Sequence, residues 1–294
     1  YNRPNDMLAL LQNITQLDDI NELLEEVLIV NNASTSNYRG VKEYINATPS
    51  VPFKYINAVE NLGVSKGRNY AIKQSSAPIL MLLDDDAVLQ NKDCLKQLVN
   101  VFENNNTEHP KAIVSFKVLY YDTLEMQKNA LPHKQFDKYK NKSFFETYYY
   151  AGGAHAIKRS VIKEIGLYAE DFFYGMEEYD LSYRVLEAGY SIIYTDKIII
   201  LHKESPQGRV ASKEKLQMMW INKTKVAWRY LPKKYFYSTA LMWSLQYLRK
   251  SKFDLKGFCK TWKIIYNIPS YNVRQTISKK TIQYLKKLKA RLWY

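Results

Sequence analysis

Short apolar runs alternate with segments of helical periodicity over the first two hundred residues. Residues 27–30, 79–83 and 112–121 predict strands, because these runs are short and rich in β-branched or other apolar side chains. The first two lack polar alternation, which is typical of strands buried on both faces. Residues 191–202 predict two further strands around a turn.

Apolar residues recur at helical spacing between these runs, in residues 5–15, 66–75, 95–105 and 178–188. Pro4 and Asp6 near the start of the first segment, and Gly189 after the last, are helix start and stop signals. The alternation of strands and helices predicts an α/β fold with a mainly parallel sheet flanked by helices.

Polar residues follow three of the predicted strands, where ligands bind in α/β sheets. They are Asn31 and Asn32, then Asp84, Asp85 and Asp86, and finally His202. The asparagines could be polar simply because strand ends meet solvent. Three adjacent aspartates repel one another and require a compensating cation, and their oxygens suit Mg²⁺ or Mn²⁺. Nucleases and kinases also cluster carboxylates, so the triplet alone leaves the reaction open.

Charge is distributed unevenly along the 294 residues. Residues 213–294 contain 20 Lys and Arg against two acidic residues, a balance of +18, whereas the whole chain carries +14. This shift predicts a domain boundary after residue 212. An apolar fraction of 46% is ample for a packed core and argues against a disordered chain. The two cysteines are far apart, which argues against a disulfide scaffold or zinc site and fits a reducing compartment.

Six motifs occur in an order that resembles the inverting glycosyltransferases of family 2, which have the GT-A fold. They are VLIVNNAST, NLGVSKGRNYAI, ILMLLDDDAVL, YYAGGAHAIKRS, YGMEEYDLSYRVLEAGY and IIILH, and the resemblance extends from Tyr1 to Gly208. The opening YNRPND is similar to the family's first loop, which follows a central first strand. We therefore expect that strand to precede Tyr1 and the chain to be a fragment.

The resemblance implies an activity: transfer of a sugar from a UDP-, dTDP- or GDP-linked donor to a hydroxyl of a glycan or lipid-linked acceptor. Such an enzyme would extend a surface polysaccharide in a bacterium. Two other function classes stay open on the residues alone. One is another metal-dependent phosphate chemistry, such as nucleotidyl transfer or nuclease action, and the other is a non-catalytic basic protein that binds membrane or nucleic acid.

The resemblance also implies a metal site for Mn²⁺ or Mg²⁺. Asp84 and Asp86 match the two acids of the family's D-x-D motif, and Asp84 could instead contact the ribose of the donor. Asp85 is ambiguous and is counted with the donor-binding residues. His202 matches a histidine that completes the metal site in several members, although a lone histidine at a strand end is often structural.

The nucleotide is assigned to the first two motifs by the same resemblance. Asn31 and Asn32 stand where the family commonly has an Asp pair or Asp-Asn that reads the nucleobase. Amides also donate and accept hydrogen bonds, but the departure weakens an assignment to uracil. Asn61, Gly63 and Arg68 match a nucleotide-contacting segment. Arg68 could stack on a base, bind a phosphate, or be a solvated charge on a first helical turn.

The catalytic base is assigned to Glu178, with Glu177 beside it. The family's usual base is Asp, so the carboxylate here is one methylene further out. Both acids begin a predicted helix, where the helix dipole favours carboxylates in any case, and Asp180 and Arg184 could simply pair along that helix. Gly153 lies in the AGGA segment, which is either a place where the sugar approaches the backbone or a flexible turn.

Residues 213–294 interleave aromatic residues with Lys and Arg. The apolar run 235–248 is too short to span a bilayer but suits a helix lying in its surface. We therefore expect an anionic membrane surface as a partner and a cytoplasmic enzyme held on the inner face of the cell membrane. The alternative is a helical subdomain whose aromatics form its own core. No nucleic-acid-binding module is recognised, so nucleic acid is not an expected partner.

Overall fold

The computed structural model describes residues 1–104, 107–204 and 212–293. The helices are α1 (Pro4–Ile14), α2 (Ile20–Leu23), α3 (Arg39–Ala47), α4 (Gly63–Gln74), α5 (Cys94–Glu103), α6 (Phe136–Tyr139), α7 (Arg159–Ile165), α8 (Glu177–Glu187), α9 (Ser212–Tyr230), α10 (Lys233–Lys250), α11 (Leu255–Tyr271) and α12 (Lys279–Lys287). The four helices predicted in the first two hundred residues are confirmed as α1, α4, α5 and α8. Asn105 and Gly208, which close a predicted helix and the motif resemblance, lie outside the described residues.

The strands are β1 (Val27–Asn31), β2 (Phe53–Asn57), β3 (Ile79–Leu83), β4 (Ala87–Leu89), β5 (Lys111–Tyr120), β6 (Phe144–Thr147), β7 (Ala154–Lys158) and β8 (Ser191–His202). In the larger sheet the strand order is β3-β7-β5-β8-β4, and β6 also pairs with β8. β1 and β2 form a separate parallel pair.

Strand direction is mixed in the larger sheet, which corrects one detail of the predicted α/β fold. β5 and β8 are parallel. β7 is antiparallel to both β3 and β5, and β4 and β6 are antiparallel to β8. The prediction of a mainly parallel sheet assumed that a helix precedes each strand. β4 and β7 instead follow the preceding strand after short loops, which are too short for a parallel crossover.

The segment Ser191–His202 is one strand, so the prediction of two strands around a turn is wrong. Its pairing with β5 shifts register: Phe116 pairs with Thr195, whereas the next residue, Lys117, pairs with Ile199. A bulge absorbs the extra residues without ending the strand. After the bulge, the end of β8 also pairs with β4, which brings His202 opposite Ala87.

Apolar side chains cover both faces of the sheet, because neighbouring residues of a strand point to opposite sides. Ile113 and Ile192 pack with α7, α8 and part of the C-terminal region. Val114 and Ile193, one residue further on, pack with α1 and α5 on the other face. The predicted arrangement of a sheet flanked by helices is confirmed.

The basic C-terminal region packs against the first 212 residues while also having a core of its own. Val226, Tyr230 and Leu285 belong to the same apolar cluster as α7 and α8. A second cluster is formed by aromatic residues of the region itself, including Trp220 and Trp243. The aromatic residues therefore do form a core, as the helical-subdomain interpretation expected. Within the described ranges, no helix is long and apolar enough to cross a membrane.

A buried carboxylate joins the two regions. Asp180 of α8 is fully buried and forms an ion pair with Arg184 one turn along the helix, at 3.0 Å. Arg229 of α9 lies 3.1 Å from its other oxygen, and the Tyr230 hydroxyl donates to that oxygen at 2.9 Å. The pairing of Asp180 and Arg184 along the helix is thus observed, and the same carboxylate also holds α9 against α8.

Candidate active site

The acidic triplet follows β3 and meets the end of β8. Asp84 is half exposed, whereas Asp86 is 1% exposed. Because β4 pairs Ala87 with His202, the imidazole Nε2 of His202 lies 3.2 Å from an oxygen of Asp86. Asp84, Asp86 and His202 each offer a ligand atom, and these atoms lie within 4.8 Å of one another. The structure therefore brings the three residues assigned to the metal together.

Arg3 compensates part of the charge of the triplet. Its Nη1 lies 2.8 Å from Asp86 and 2.9 Å from Asp85. Sequence reasoning missed this residue, because 82 residues separate Arg3 from Asp85 and no local pattern links them. Asp85 and Asp86 both pair with Arg3, and it is the closeness of their ligand atoms that makes Asp84, Asp86 and His202 the group that could hold an ion.

The pKa values of Asp84 and His202 are shifted by burial and by the charged groups around them. Desolvation raises the pKa of Asp84, the carboxylates of Asp86 and Asp85 add to the rise, and Arg68 opposes it. Burial lowers the pKa of His202, but the hydrogen bond to Asp86 and the negative charges of Asp86 and Asp84 together outweigh this effect, and the net pKa is above the usual value. Both shifts favour proton binding, as expected for an arrangement in which negative charge exceeds positive charge.

A Gly-Gly turn separates the acidic triplet from the second acidic pair. A Cβ atom on Gly153 would lie 2.3 Å from a carboxylate oxygen of Asp84, and one on Gly152 would lie 2.1 Å from a carboxylate oxygen of Glu178. Contacts this short are impossible for a real Cβ atom, so a side chain at either position would displace the neighbouring carboxylate. The turn therefore places Asp84 and Glu178 against adjacent residues of the backbone.

Glu177 and Glu178 begin α8 after a tight turn. Gly175 and Met176 both have positive φ, at 77° and 75°. This conformation costs a non-glycine residue on the order of 1 kcal/mol, so other contacts must hold the turn. Asn222 of α9 provides them: its side-chain amide donates to the carbonyls of Tyr174 and Gly175, at 3.0 Å each. The C-terminal region thus fixes the turn that presents the acidic pair.

Arg68 of α4 lies between the two acidic centres. Its guanidinium is 3.0 Å from Glu177 and 3.8 Å from Asp84, and it donates to the carbonyl of Gly152 at 2.7 Å. It also packs on the ring of Tyr168, at 5.6 Å. With the side chain 14% exposed, a solvated surface charge is excluded. Its assignment to the nucleotide stays a prediction.

The two acids of the pair differ in their surroundings. Desolvation, followed by repulsion from Glu177, raises the pKa of Glu178 to about 8, and Arg68 opposes the rise. One oxygen of Glu177 pairs with Arg68, and the other has no hydrogen-bond partner among the described residues. Glu177 is 2% exposed, whereas Glu178 is partly accessible. Of the two acids, Glu178 is the one a substrate can reach.

The residues assigned to the nucleobase meet at the ends of β1 and β2. The amide of Asn32 donates to Asn61 at 3.0 Å, and its oxygen accepts from the backbone of Leu62 at 2.8 Å. Gly63, with φ of 69°, closes this turn. Asn31 donates to Asn57 at 3.3 Å, and Asn57 is a second residue that sequence reasoning missed. These assignments stay predictions, and the structure shows that the residues converge.

A family model described as glycosyl transferase family 2 matches residues 1–166, more than half of the chain. The chain belongs to glycosyltransferase family 2. The match includes the acidic triplet, Arg68 and Gly153 but ends before Glu177, Glu178 and His202. The roles of these last three residues therefore rest on the motifs and on the geometry.

Known proteins agree with this membership. An uncharacterized glycosyltransferase of Bacillus subtilis, YfnE, is 24% identical over 231 residues, which cover 62% of this chain and 57% of that protein. The chain thus spans less than two thirds of that relative. The mannosyltransferase PcManGT of Pyrobaculum calidifontis, solved with GDP-Man and Mn²⁺, has a TM-score of 0.62 at 17% identity and covers 98% of this chain and 76% of its own.

A second solved glycosyltransferase has the same fold. Residues 1–349 of TarS from S. aureus, in complex with UDP-GlcNAc, have a TM-score of 0.60 at 14% identity, and the alignment covers 99% of this chain and 84% of that chain. At this level of identity the likeness concerns the fold alone. The GT-A fold predicted for this glycosyltransferase is confirmed.

Gly152 offers a direct test of the geometry in this glycosyltransferase. Gly152→Ala would push the added methyl group into the Glu178 carboxylate, and a displacement of about 1 Å at a reacting group costs about 10²-fold in rate. We expect turnover of the donor to fall by about that factor while the protein stays folded. The matched control is Gly40→Ala in α3, where nothing lies within 4 Å. Equal losses in both variants would contradict the proposed contact.

Proposed function

We propose that this protein is a metal-dependent inverting glycosyltransferase. It moves a sugar from a nucleotide-sugar donor to a hydroxyl of a glycan or lipid-linked acceptor. One observation carries the proposal: a three-ligand group and a reachable carboxylate flank one Gly-Gly turn, with Asp84 against Gly153 and Glu178 against Gly152. An inverting displacement needs these two features on either side of the reacting carbon.

The leaving group is assigned to the acidic triplet. Two carboxylates and an imidazole form a donor set that fits Mn²⁺ or Mg²⁺, and Asp84, Asp86 and His202 would hold the ion. Such an ion would supply positive charge to the departing nucleoside diphosphate. The mannosyltransferase of the same fold carries Mn²⁺ with its donor, which supports this assignment.

The base is assigned to Glu178. As the acceptor oxygen forms its bond to the anomeric carbon and the bond to the diphosphate breaks, the hydroxyl proton passes to the Glu178 carboxylate. Glu177, held by Arg68, orients this neighbour rather than reacting. A pKa of about 8 makes Glu178 a stronger base than an ordinary carboxylate, close to a working pH.

For the donor and the pathway we propose a class rather than a single compound. Asn31 and Asn32 would read the base of a UDP-, dTDP- or GDP-linked sugar, with Asn61, Gly63, Asp85 and Gly153 completing that side. We propose a role in bacterial surface polysaccharide synthesis. Two-ion phosphate chemistry is less well supported, since the described residues contain a single three-ligand group.

We also propose attachment to the cytoplasmic face of the cell membrane through α10. One face of this helix is buried, and the opposite face exposes Tyr237, Leu241 and Leu245, one turn apart, at 64%, 56% and 55%. Lysines and arginines lie at both ends of the helix, including Lys233 and Lys250. An apolar stripe between basic ends suits an anionic lipid surface.

Ligand-induced stabilisation and product release test the function. We expect one class of nucleotide-sugar to raise the melting temperature only with Mn²⁺ or Mg²⁺, and to release nucleoside diphosphate when acceptor is added. Asp86→Asn should abolish both effects, because metal binding needs the charge. Asp137→Asn, at an exposed acid, is the control. Turnover by Asp86→Asn without a metal ion would contradict the assignment of the ion to Asp84, Asp86 and His202.

The pH profile tests the base. We expect kcat/KM to rise towards pH 8, since only ionised Glu178 accepts a proton. Glu177→Gln removes the neighbouring negative charge and leaves Arg68 to attract Glu178. Both changes favour the ionised form, so the rise should move to lower pH by about one unit. Glu178→Gln should bind donor but lose about 10² to 10⁴-fold in turnover.

Either of two results would reassign the base. If Glu178→Gln turned over normally while Glu177→Gln were inactive, Glu177 would be the base. If the rise moved to higher pH in Glu177→Gln, the charges around the pair would be arranged differently from the structure.

Vesicle sedimentation tests the membrane surface. Each leucine side chain buried in a lipid interface contributes on the order of 1 kcal/mol, so Leu241→Gln with Leu245→Gln should weaken binding to anionic vesicles by at least about tenfold. The control is Val59→Gln, a fully exposed apolar residue of the first region. If the Leu241→Gln and Leu245→Gln double variant bound vesicles as tightly as the Val59→Gln control, α10 would be excluded as the contact.

A further inference from the structure

Lys223 of α9 is a partly buried cation beside the acidic pair. Its ammonium lies 4.9 Å from the ring centre of Trp243 and 5.9 Å from that of Tyr179, the residue after Glu178. Within the described ranges the ammonium forms no ion pair and no hydrogen bond. The ring faces attract the cation but offer no oxygen to its three N–H donors.

Arg291, near the end of the described chain, brings a second positive charge to the same place. The next residue, Leu292, packs in the same apolar cluster as Tyr148, which holds this segment against the first region. Burial, and then the charge of Arg291, lower the pKa of Lys223 to about 8, with Glu178 opposing. The Arg291 side chain likewise forms no ion pair in the part of the chain that the structure describes. Lys223 is therefore exposed to the positive charges of Arg291 and Lys250 and to the negative charge of Glu178.

A flat aromatic surface completes this corner. The rings of Tyr149 and Tyr179 are stacked, with centres 4.8 Å apart and planes 16° apart, and both residues are partly exposed. The partly exposed rings offer apolar contact to the C–H groups of a sugar or polyol. The corner thus combines an apolar surface and two cations beside Glu178.

We propose that Lys223 and Arg291 bind a phosphate group of the acceptor, so that the substrate accepting the sugar is a phosphate-bearing polyol or glycan. This inference rests on the proposed function. The donor diphosphate is assigned to Asp84, Asp86 and His202, which lie across the Gly-Gly turn from Glu178. Cations on the Glu178 side therefore face the attacking hydroxyl. An ammonium and a guanidinium are the donors that bind phosphate in proteins.

Binding of sn-glycerol 3-phosphate, a minimal phosphate-bearing polyol, tests the inference. Intrinsic tryptophan fluorescence, to which Trp243 contributes, is followed at constant ionic strength with EDTA present, so that no metal ion contributes to anion binding. We expect saturable binding that Lys223→Met weakens at least about tenfold, because a hydrogen bond to a charged group contributes about this factor. Lys223→Arg should retain most of the affinity, and Lys260→Met, at an exposed lysine of α11, should match the unaltered protein.

Several results would overturn the inference. They are the absence of saturable binding by the unaltered protein, equal affinity for uncharged glycerol, and equal affinity of Lys223→Met and Lys260→Met. Tighter binding of glycerate than of glycerol 3-phosphate would replace the phosphate with a carboxylate. Circular dichroism of each variant shows whether the fold is intact, and Lys223→Arg keeps the test decisive if the Met variant unfolds.

The test is independent of sugar transfer. If glycosyl transfer occurs but glycerol 3-phosphate binding does not depend on Lys223, the inference fails and the proposed function stands. If binding depends on Lys223 but no nucleotide-sugar is turned over, the anion site stands and its assignment to an acceptor falls with the proposed function.

Discussion

Carboxylates can crowd this site only because a guanidinium lies among them. Arg68 contacts Glu177 and the Gly152 carbonyl and lies 3.8 Å from Asp84. At about 4 Å, two unit charges near a protein surface interact with about 4 kcal/mol. The repulsion between carboxylates that Arg68 offsets is therefore comparable with a large part of the stability of a domain. Arg3 acts in the same way on Asp85 and Asp86. Desolvation, together with the negative charge that remains, raises the pKa values of Asp84 and Glu178.

The fold brings these charges together from distant parts of the chain. The bulge in β8 and its pairing with β4 set His202 opposite Ala87, next to Asp86. The Gly-Gly turn before β7 admits a carboxylate on each side. Asn222 of α9 holds the strained turn before Glu177. Each device constrains the backbone next to a residue of the candidate site.

Periodicity and strand-end polarity predicted the α/β class, the principal helices and the convergence of Asp84, Asp86 and His202. They missed β7, whose AHAIK sequence is short and has no preceding crossover helix, and they divided β8 because its bulge looks like a turn. The partners Arg3, Asn57 and Lys223 were also missed. Such contacts join residues far apart in sequence, and no local pattern encodes them.

The clamp of α9 on the turn before Glu177 bears on how this enzyme can be recombined. The side chain of Met219 lies against Gly175, and Asn222 bonds the neighbouring carbonyls. A chimaera joined near residue 212 would combine one parent's acidic pair with the other parent's clamp. Replacing α9 in such a hybrid would change two things at once, because the same helix carries Lys223 and supports the turn before Glu177. The proposed acceptor contact therefore cannot be exchanged without also changing the position of the acidic pair. Grafting single side chains onto an intact α9 preserves that support.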